Sequence, residues 1–214
     1  MSAPRPLTKF AYPEALERFA LSPAIYLATN PTLSGVIVSG VVVHEFSGPC
    51  TNDTAVNRVL VVQRAATDGF PLLWETPGGG VDGDDESILT ALQRELMEET
   101  GLVLTGVVDV LDEGTEWEVN DGARWRKVTF LVTVRDQNEL HGDSNEDNVA
   151  GKDLNVILNG DEHSDYVWAS KDEIECEQCQ GRNLVFAYKD GKEIALCGLR
   201  RAEIPNEIIV GVKG

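Results

Sequence analysis

Apolar residues recur along this chain in two periods, and the switches between them mark out its elements. Gly35 to Phe46 and Arg58 to Arg64 are rich in valine, which suits the pleated surface of a strand, and the polar stretch Ser47 to Asn57 between them reads as a loop. Trp74 and Glu75 form a short strand that runs into a glycine turn. From Ile88 the period lengthens: Ile88, Leu89, Leu92 and Leu96 share one stripe at about 100° per residue, and Gly101 ends the helix in the usual C-cap position. Val103 to Asp112, Thr115 to Val119 and Trp125 to Arg135 read as strands, the last two as a hairpin across Asn120-Asp121-Gly122, where the Asp-Gly step favours a tight turn. Asp165 to Ala169 predicts a further strand, and Lys171 to Cys176 the start of a helix. Upstream, Pro13 to Ala20 reads as a short helix with proline in its first turn, and Ser22 to Leu33 as a connection broken by Pro and Asn. After Gln180 the pattern specifies no element.

Strands around a central helix, with another helix after the last strand, place the chain in the α/β class, a mixed sheet layered between helices. Its 214 residues suit one sizeable domain with extensions. The expected division is an N-terminal extension with a short helix (1–32), a main domain (33–177) and a C-terminal segment packed on it (178–214). Within the main domain, residues 136–160 are acidic, rich in Asn and poor in aromatics, which predicts a mobile surface insertion.

Charge narrows the range of partners. Lys and Arg number 18 against 36 Asp and Glu, a net charge of −18. Such a surface repels polyanions, so no nucleic-acid polymer and no anionic membrane is expected as partner, whereas a small phosphorylated substrate can enter a pocket that holds a cation. No run approaches the roughly 18 apolar residues that span a bilayer, and Met1 to Leu21 lacks the pattern of a secretory signal. Cys50, Cys176, Cys179 and Cys197 are too few and irregular for a disulfide scaffold, so a reduced, cytoplasmic protein is expected. Cys176-Glu-Gln-Cys179 has neither a second pair nor a histidine at zinc spacing and reads as ordinary thiols. The oligomeric state stays open, a homodimer included.

One segment carries chemistry. From Gly80 to Leu102 the chain reads GVDGDDESILTALQRELMEETGL. On the helical wheel Glu95 and Glu99 lie within about 20° of Ile88, with Glu98 about a further 60° round, so these acids extend the inward stripe. Carboxylates crowded in this way repel one another unless a cation shares the site. Oxygen ligands without Cys or His select Mg²⁺ or Mn²⁺ over zinc.

The spacing G-x5-E-x7-R-E-U-x-E-E-x-G-U, with U a bulky apolar residue, is that of the Nudix box, and Gly80 to Leu102 resembles it at every specified position. The lead-in Pro77-Gly78-Gly79-Gly80-Val81-Asp82-Gly83-Asp84-Asp85-Glu86 is one residue longer than the family's usual P-G-G-x-x-E-x-G-E, which leaves either Gly79 or Gly80 to present a carbonyl to the metal. The resemblance implies a Nudix-like α/β/α sandwich and a hydrolase that attacks phosphorus with water, cleaving the pyrophosphate bond of a nucleoside diphosphate linked to another group. It implies Glu95, Glu98 and Glu99 as metal ligands with Glu86 assisting, Arg94 as their organiser, and Mg²⁺ or Mn²⁺ as cofactor. Gly160 to Trp168 is similar to the E-H-x-x-x-x-W stretch before a late strand in the family, which makes Glu162 a candidate general base beside Glu98 and Glu99. His163 is either a ligand of the leaving phosphate or a structural hydrogen-bonder, the second being favoured.

Substrate choice has weaker signals. Arg64 closes a strand and is the favoured phosphate contact over Arg124, Arg126 and Lys127, which read as solvated charges. Among Phe70, Trp74, Trp117 and Trp125, the residues singled out for stacking on a base are Trp74 and Trp117. No proline lies between Pro77 and Pro205, so the downstream proline associated with ADP-ribose hydrolases is missing. The alternatives are a hydrolase of a non-nucleotide diphosphate, of inositol or isoprenoid type, and a sensing module without catalysis, against which the intact set Glu86, Glu95, Glu98 and Glu99 argues.

Overall fold

The structure, a computed structural model, describes residues 9–46, 55–119, 122–137 and 154–204. After a 3-10 helix (Glu14–Phe19) come α1 (Pro23–Thr29), β1 (Gly35–Phe46), β2 (Val56–Arg64), β3 (Trp74–Glu75), α2 (Ile88–Thr100), β4 (Leu102–Glu118), β5 (Arg124–Asp136), β6 (His163–Ser170), α3 (Lys171–Glu175), β7 (Gln178–Cys179), β8 (Arg182–Asn183) and α4 (Gly191–Ala202). β1 runs parallel to β5 over its first part and turns antiparallel to β2 over its last, so one strand joins the two halves of a mixed sheet. β2 carries β6 along its other edge, with His163 opposite Arg64, and pairs with β3 through Val62 and Gln63.

Alternation along the strands feeds two cores. Val36, Val38 and Val42 of β1, Leu60 of β2 and Val128, Phe130 and Val132 of β5 face α2, where Ile88, Leu89, Leu92 and Leu96 pack with Phe19 and Tyr26. Val41, Val59, Val61, Leu131 and Val167 face the other way, against Ile194, Ala195, Leu196 and Leu199 of α4. Helices therefore cover both faces of the sheet, the α/β sandwich that the pattern and the resemblance predicted.

α2 begins at a capping box in which Ser87 Oγ accepts from the Thr90 amide while Thr90 Oγ1 accepts from the Ser87 amide. It ends at Gly101, left-handed at φ 68°, where a side chain is strained and glycine is not. Both ends of the acid-bearing helix are thus fixed by local chemistry.

Several elements depart from the pattern's reading. Ser22 to Leu33 is not simply a connection, since Pro23 at N1 starts α1 and Tyr26 is buried against Phe19. Val103–Asp112 and Thr115–Val119 are parts of one strand, β4, whose bulges shift the phase of the alternation and so imitate a break. The hairpin to β5 is present, while Asn120 and Asp121 of its turn lie outside the described residues. Residues 138–153 of the expected insertion also lie outside them, but Val156 is in the core, and Ile157 and Asn159 donate their amides to the carbonyls of Thr100 and Glu99. That stretch, exposed at Asn155, Ile157 and Gly160, also caps the end of α2, because the terminal carbonyls of a helix need donors. The uninterpreted region after Gln180 holds α4, and Gly198 admits Val41 against its backbone.

Candidate functional site

Arg94 organises the box. Its Nε and Nη2 donate to the two carboxylate oxygens of Asp85 at 3.1 and 3.0 Å, Nη1 to Glu95 Oε1 at 2.8 Å and Glu98 Oε2 at 3.2 Å, and Nη2 also to the Gly80 carbonyl at 2.9 Å. A planar guanidinium is the side chain that can hold a bidentate fork and two further acceptors at once. The hydrogen bond to Asp85, ahead of the neighbouring acids, pushes the Arg94 pKa further up. Asp85, which no motif singled out, is the arginine's anchor.

The glycine turn is laid along β1 as if it were a strand: Val38 donates to the Gly79 carbonyl at 2.9 Å, Gly40 to the Pro77 carbonyl and Val81 to the Val36 carbonyl. Close approach forbids side chains here. A Cβ on Gly78, at φ 149°, would sit on the Val38 carbonyl, and one on Gly79 would come within 2.7 Å of the Glu95 carboxyl. The two candidate carbonyls differ in their partners, Gly79 being bonded to β1 and Gly80 to Arg94.

Glu95, Glu99, Glu75, Arg64, Glu162 and His163 line one cleft of about 340 Å³ against this turn, together with Gly78, Gly79, Gly80 and Tyr188. Glu162 arrives because the cap of α2 leads directly into β6: the amides of Glu162 and His163 both donate to the Asn159 carbonyl, and Ala65 donates to the Glu162 carbonyl at 2.8 Å. Burial pushes the Glu99 carboxyl well above the usual range, with Glu75, Glu95 and Glu162 adding to it and the Gly78 amide opposing. Burial also raises Glu95, against the pull of Arg94. The donor set fits a divalent cation, for which Glu99, Glu162 and His163 each offer a ligand atom within 4.8 Å of one another.

The other predicted ligands stand further out. Glu98 is 54% exposed and held by Arg94, and Glu86 is exposed at the turn before α2, so neither lines the cleft. Arg64 does line it, its guanidinium clasped by Glu75 on one nitrogen and Asp68 on the other at 2.6 Å.

Beyond Tyr188 the cleft adjoins a second, more apolar cavity of about 560 Å³ walled by Phe70, Trp117 and Tyr188, with Thr115, Lys189 and Asp190 at its edge. The rings of Phe70 and Trp117 stand 6.0 and 6.5 Å from that of Tyr188. Thr115 Oγ1 lies 2.6 Å from Asp190 Oδ2, which leaves the N-cap position of α4 without its side-chain cap.

Of the two tryptophans singled out for stacking, Trp117 lines this aromatic cavity and Trp74 does not. Only 1% exposed, Trp74 is packed between β2 and the α4 side of the core, because its place on β3 points it inward. Lys127 is likewise no solvated charge: it is 4% exposed, with Nζ 4.1 Å from the centre of the Tyr188 ring, and burial lowers its pKa against the pull of Glu75 and Asp190. Arg126 is bound to Glu116 and Asn30, away from the cleft. Cys179 is a buried free thiol, raised to about 11 by burial, and Cys176 and Cys197 are free as well, whereas Cys50 lies outside the described residues. Glu75, Tyr188 and Asp190 escaped the sequence reading, since a short strand and a stretch without periodicity gave them no signal.

A family model, the NUDIX domain, matches residues 46–185. Over 50 residues the chain is 50% identical to an RNA pyrophosphohydrolase of Agrobacterium fabrum, covering 23% of this chain and 27% of that protein. Over 77 residues it is 38% identical to the RNA pyrophosphohydrolase of Rhizobium meliloti, covering 32% and 44%. The chain thus spans less than half the length of these curated relatives. Among solved structures, a Nudix hydrolase from M. smegmatis, RenU, superposes with a TM-score of 0.52 at 16% identity, over 83% of this chain and 88% of that one, a likeness of fold. Among the described residues, no helix is long and apolar enough to cross a membrane.

Proposed function

The chain belongs to the Nudix family, and on that premise we propose that it is a divalent-metal-dependent pyrophosphohydrolase acting on a nucleoside diphosphate linked to a further group. The observation that carries the proposal is the junction at Tyr188, where an acidic cleft adjoins an aromatic cavity. The first suits a diphosphate with its cation and the second a planar base.

In this reading Glu95 and Glu99 hold the ion, Glu98 and Glu86 add their carboxylates from the solvent side, and a carbonyl of Gly79 or Gly80 contributes its second lone pair. Bound Mg²⁺ or Mn²⁺ supplies charge neutralisation of the diphosphate and activation of water. Arg94 keeps Glu95 and Glu98 in place. Glu162, exposed at the cleft, accepts the proton of the attacking water, with Glu98 or Glu99 as rivals for that role. The water oxygen bonds to one phosphorus, the bridging P–O bond to the next phosphorus breaks, and a nucleoside monophosphate leaves together with the phosphorylated remainder of the substrate. Arg64, preset by Glu75 and Asp68, meets the non-bridging oxygens, and Trp117 with Phe70 and Tyr188 stacks on the base.

A panel of nucleoside triphosphates, sugar nucleotides, dinucleotide polyphosphates and inositol and isoprenoid diphosphates, assayed with Mg²⁺ and with Mn²⁺, tests the proposal. RNA carrying a terminal pyrophosphate bond joins the panel because the curated relatives are named RNA pyrophosphohydrolases, although a net charge of −18 favours a small substrate. Turnover of nucleotides that Glu99→Gln abolishes supports the reading. Full rates in that variant, or turnover confined to inositol or isoprenoid diphosphates, sink it.

A further inference from the structure

His163 is the one cleft residue that the box chemistry leaves unexplained. It is 3% exposed, and its Nδ1 is buried without a hydrogen-bond partner. A buried, unpaired imidazole nitrogen costs free energy whether it carries a proton or a bare lone pair, so the site must offer it something. What faces it is Glu99, with Oε1 4.0 Å from Nδ1, and Glu99, Glu162 and the His163 ring each bring a ligand atom within 4.8 Å of one another. A separation of 4.0 Å is too long for a hydrogen bond but close to twice a metal–ligand bond of about 2.1 Å.

The opposite ring nitrogen supplies the second observation. Nε2 stands 3.6 Å from Oε1 of Glu75, itself buried and clasped by Arg64. At 3.6 Å this is beyond hydrogen-bond range, but a buried carboxylate on that side electrostatically favours the proton on Nε2 and the bare lone pair on Nδ1, the sense of the outer-sphere arrangement found behind metal-bound imidazoles. Arg64, Glu75 and His163 thus form a chain that ends at an unpaired nitrogen aimed into a cluster of acids.

We propose that His163 Nδ1 is a direct ligand of the divalent ion, so that this chain holds its metal in a mixed carboxylate–imidazole site with Glu75 as the orienting partner. The inference rests on the reading that the box binds a divalent cation. An imidazole ligand favours Mn²⁺ and the later first-row ions over Mg²⁺, which prefers oxygen and keeps its waters.

The test is spectroscopic and needs no turnover. In the Mn²⁺-loaded protein, pulsed electron paramagnetic resonance should show modulation from a directly bound nitrogen. It should vanish in His163→Gln and persist in His44→Gln, a histidine of β1 outside the cleft. His163→Gln should weaken Mn²⁺ binding at least about tenfold more than Mg²⁺ binding. Glu75→Gln, which leaves the ligand in place, should keep the nitrogen signal and weaken Mn²⁺ about 10- to 100-fold. Bound Mn²⁺ without nitrogen modulation in the unaltered protein overturns the inference while leaving the hydrolase reading intact. Failure of the protein to bind Mn²⁺ at all overturns both. If His163→Gln does not fold, the unaltered protein and Glu75→Gln still decide the matter.

Discussion

Gly78 donates its amide hydrogen to Glu99 Oε2 across 2.6 Å, tying the turn before the box helix to an acid at that helix's far end. The bond exists because the turn lies directly on β1, where an added Cβ would meet the Val38 carbonyl and come within 2.6 Å of Ser39 Cα. Gly78→Ala should therefore cost on the order of 1–3 kcal/mol of stability and loosen Glu99 together with the turn. Chemical denaturation and calorimetric metal titration would check this. A variant as stable as the parent with the same metal affinity would show that the close approach is not what demands glycine.

Glu99→Gln keeps an oxygen for the Gly78 amide and removes the charge. Turnover should fall by about 10²-fold or more. The metal-free protein should respond in the opposite sense. Burial, with Glu75, Glu95 and Glu162 nearby, raises the Glu99 pKa in the folded state, so its favourable contribution is fully present below the unfolded carboxylate range. It is lost as pH rises through the elevated value. With a chelator present, the parent should lose melting temperature as pH rises above the usual carboxylate range, and the variant should lose less, Glu95 retaining part of the slope. Saturating Mn²⁺ should offset the loss in the parent. Identical slopes for parent and variant would remove Glu99 as its source.

The box helix was legible because its signals are local: the stripe from Ile88 to Leu96 and Gly101 at the end are written within one segment. The inward turn of Glu95 and Glu99 follows from the same wheel. Of their neighbours in the cleft, Arg64 and Glu162 were named from the sequence, while Glu75 and Tyr188 were not, because the parts of the chain that hold them carry no local signal. Glu75 sits on a strand of two residues, and Tyr188 and Asp190 sit in a connection whose position depends on α4 docking against β1 and β2. Trp74 and Lys127 were misread for one shared reason: strand alternation tells that a residue faces a side, but not whether that side is solvent or a covered core.

Arg94→Lys tests the hub. Lysine keeps the charge but cannot span the fork on Asp85 while also reaching Glu95, Glu98 and the Gly80 carbonyl. Divalent-metal affinity should fall about tenfold or more, with a smaller loss in melting temperature, as isothermal titration and thermal denaturation would read. Unchanged metal affinity would reduce Arg94 to a surface ion-pair partner.

Trp117→Ala addresses the base. In the cavity, Trp117 and Phe70 flank Tyr188, and Tyr188 also lines the acidic cleft, so a base held there has its phosphates next to Arg64. Stacking on one aromatic is worth about 1–3 kcal/mol, so KM for a nucleotide substrate should rise about 5- to 100-fold. The change in kcat should be smaller, because the indole does not touch the reacting phosphorus. Tyr188→Phe should stay near the parent, since the ring supplies the wall and still accepts Lys127 Nζ against its face, whereas Tyr188→Ala should combine the KM defect with a loss of stability from an exposed Lys127 pocket. A non-nucleotide diphosphate provides the control, as it has no base to lose. If Trp117→Ala raises KM for both substrates alike, the cavity recognises no base, and the aromatic wall serves only to close the cleft.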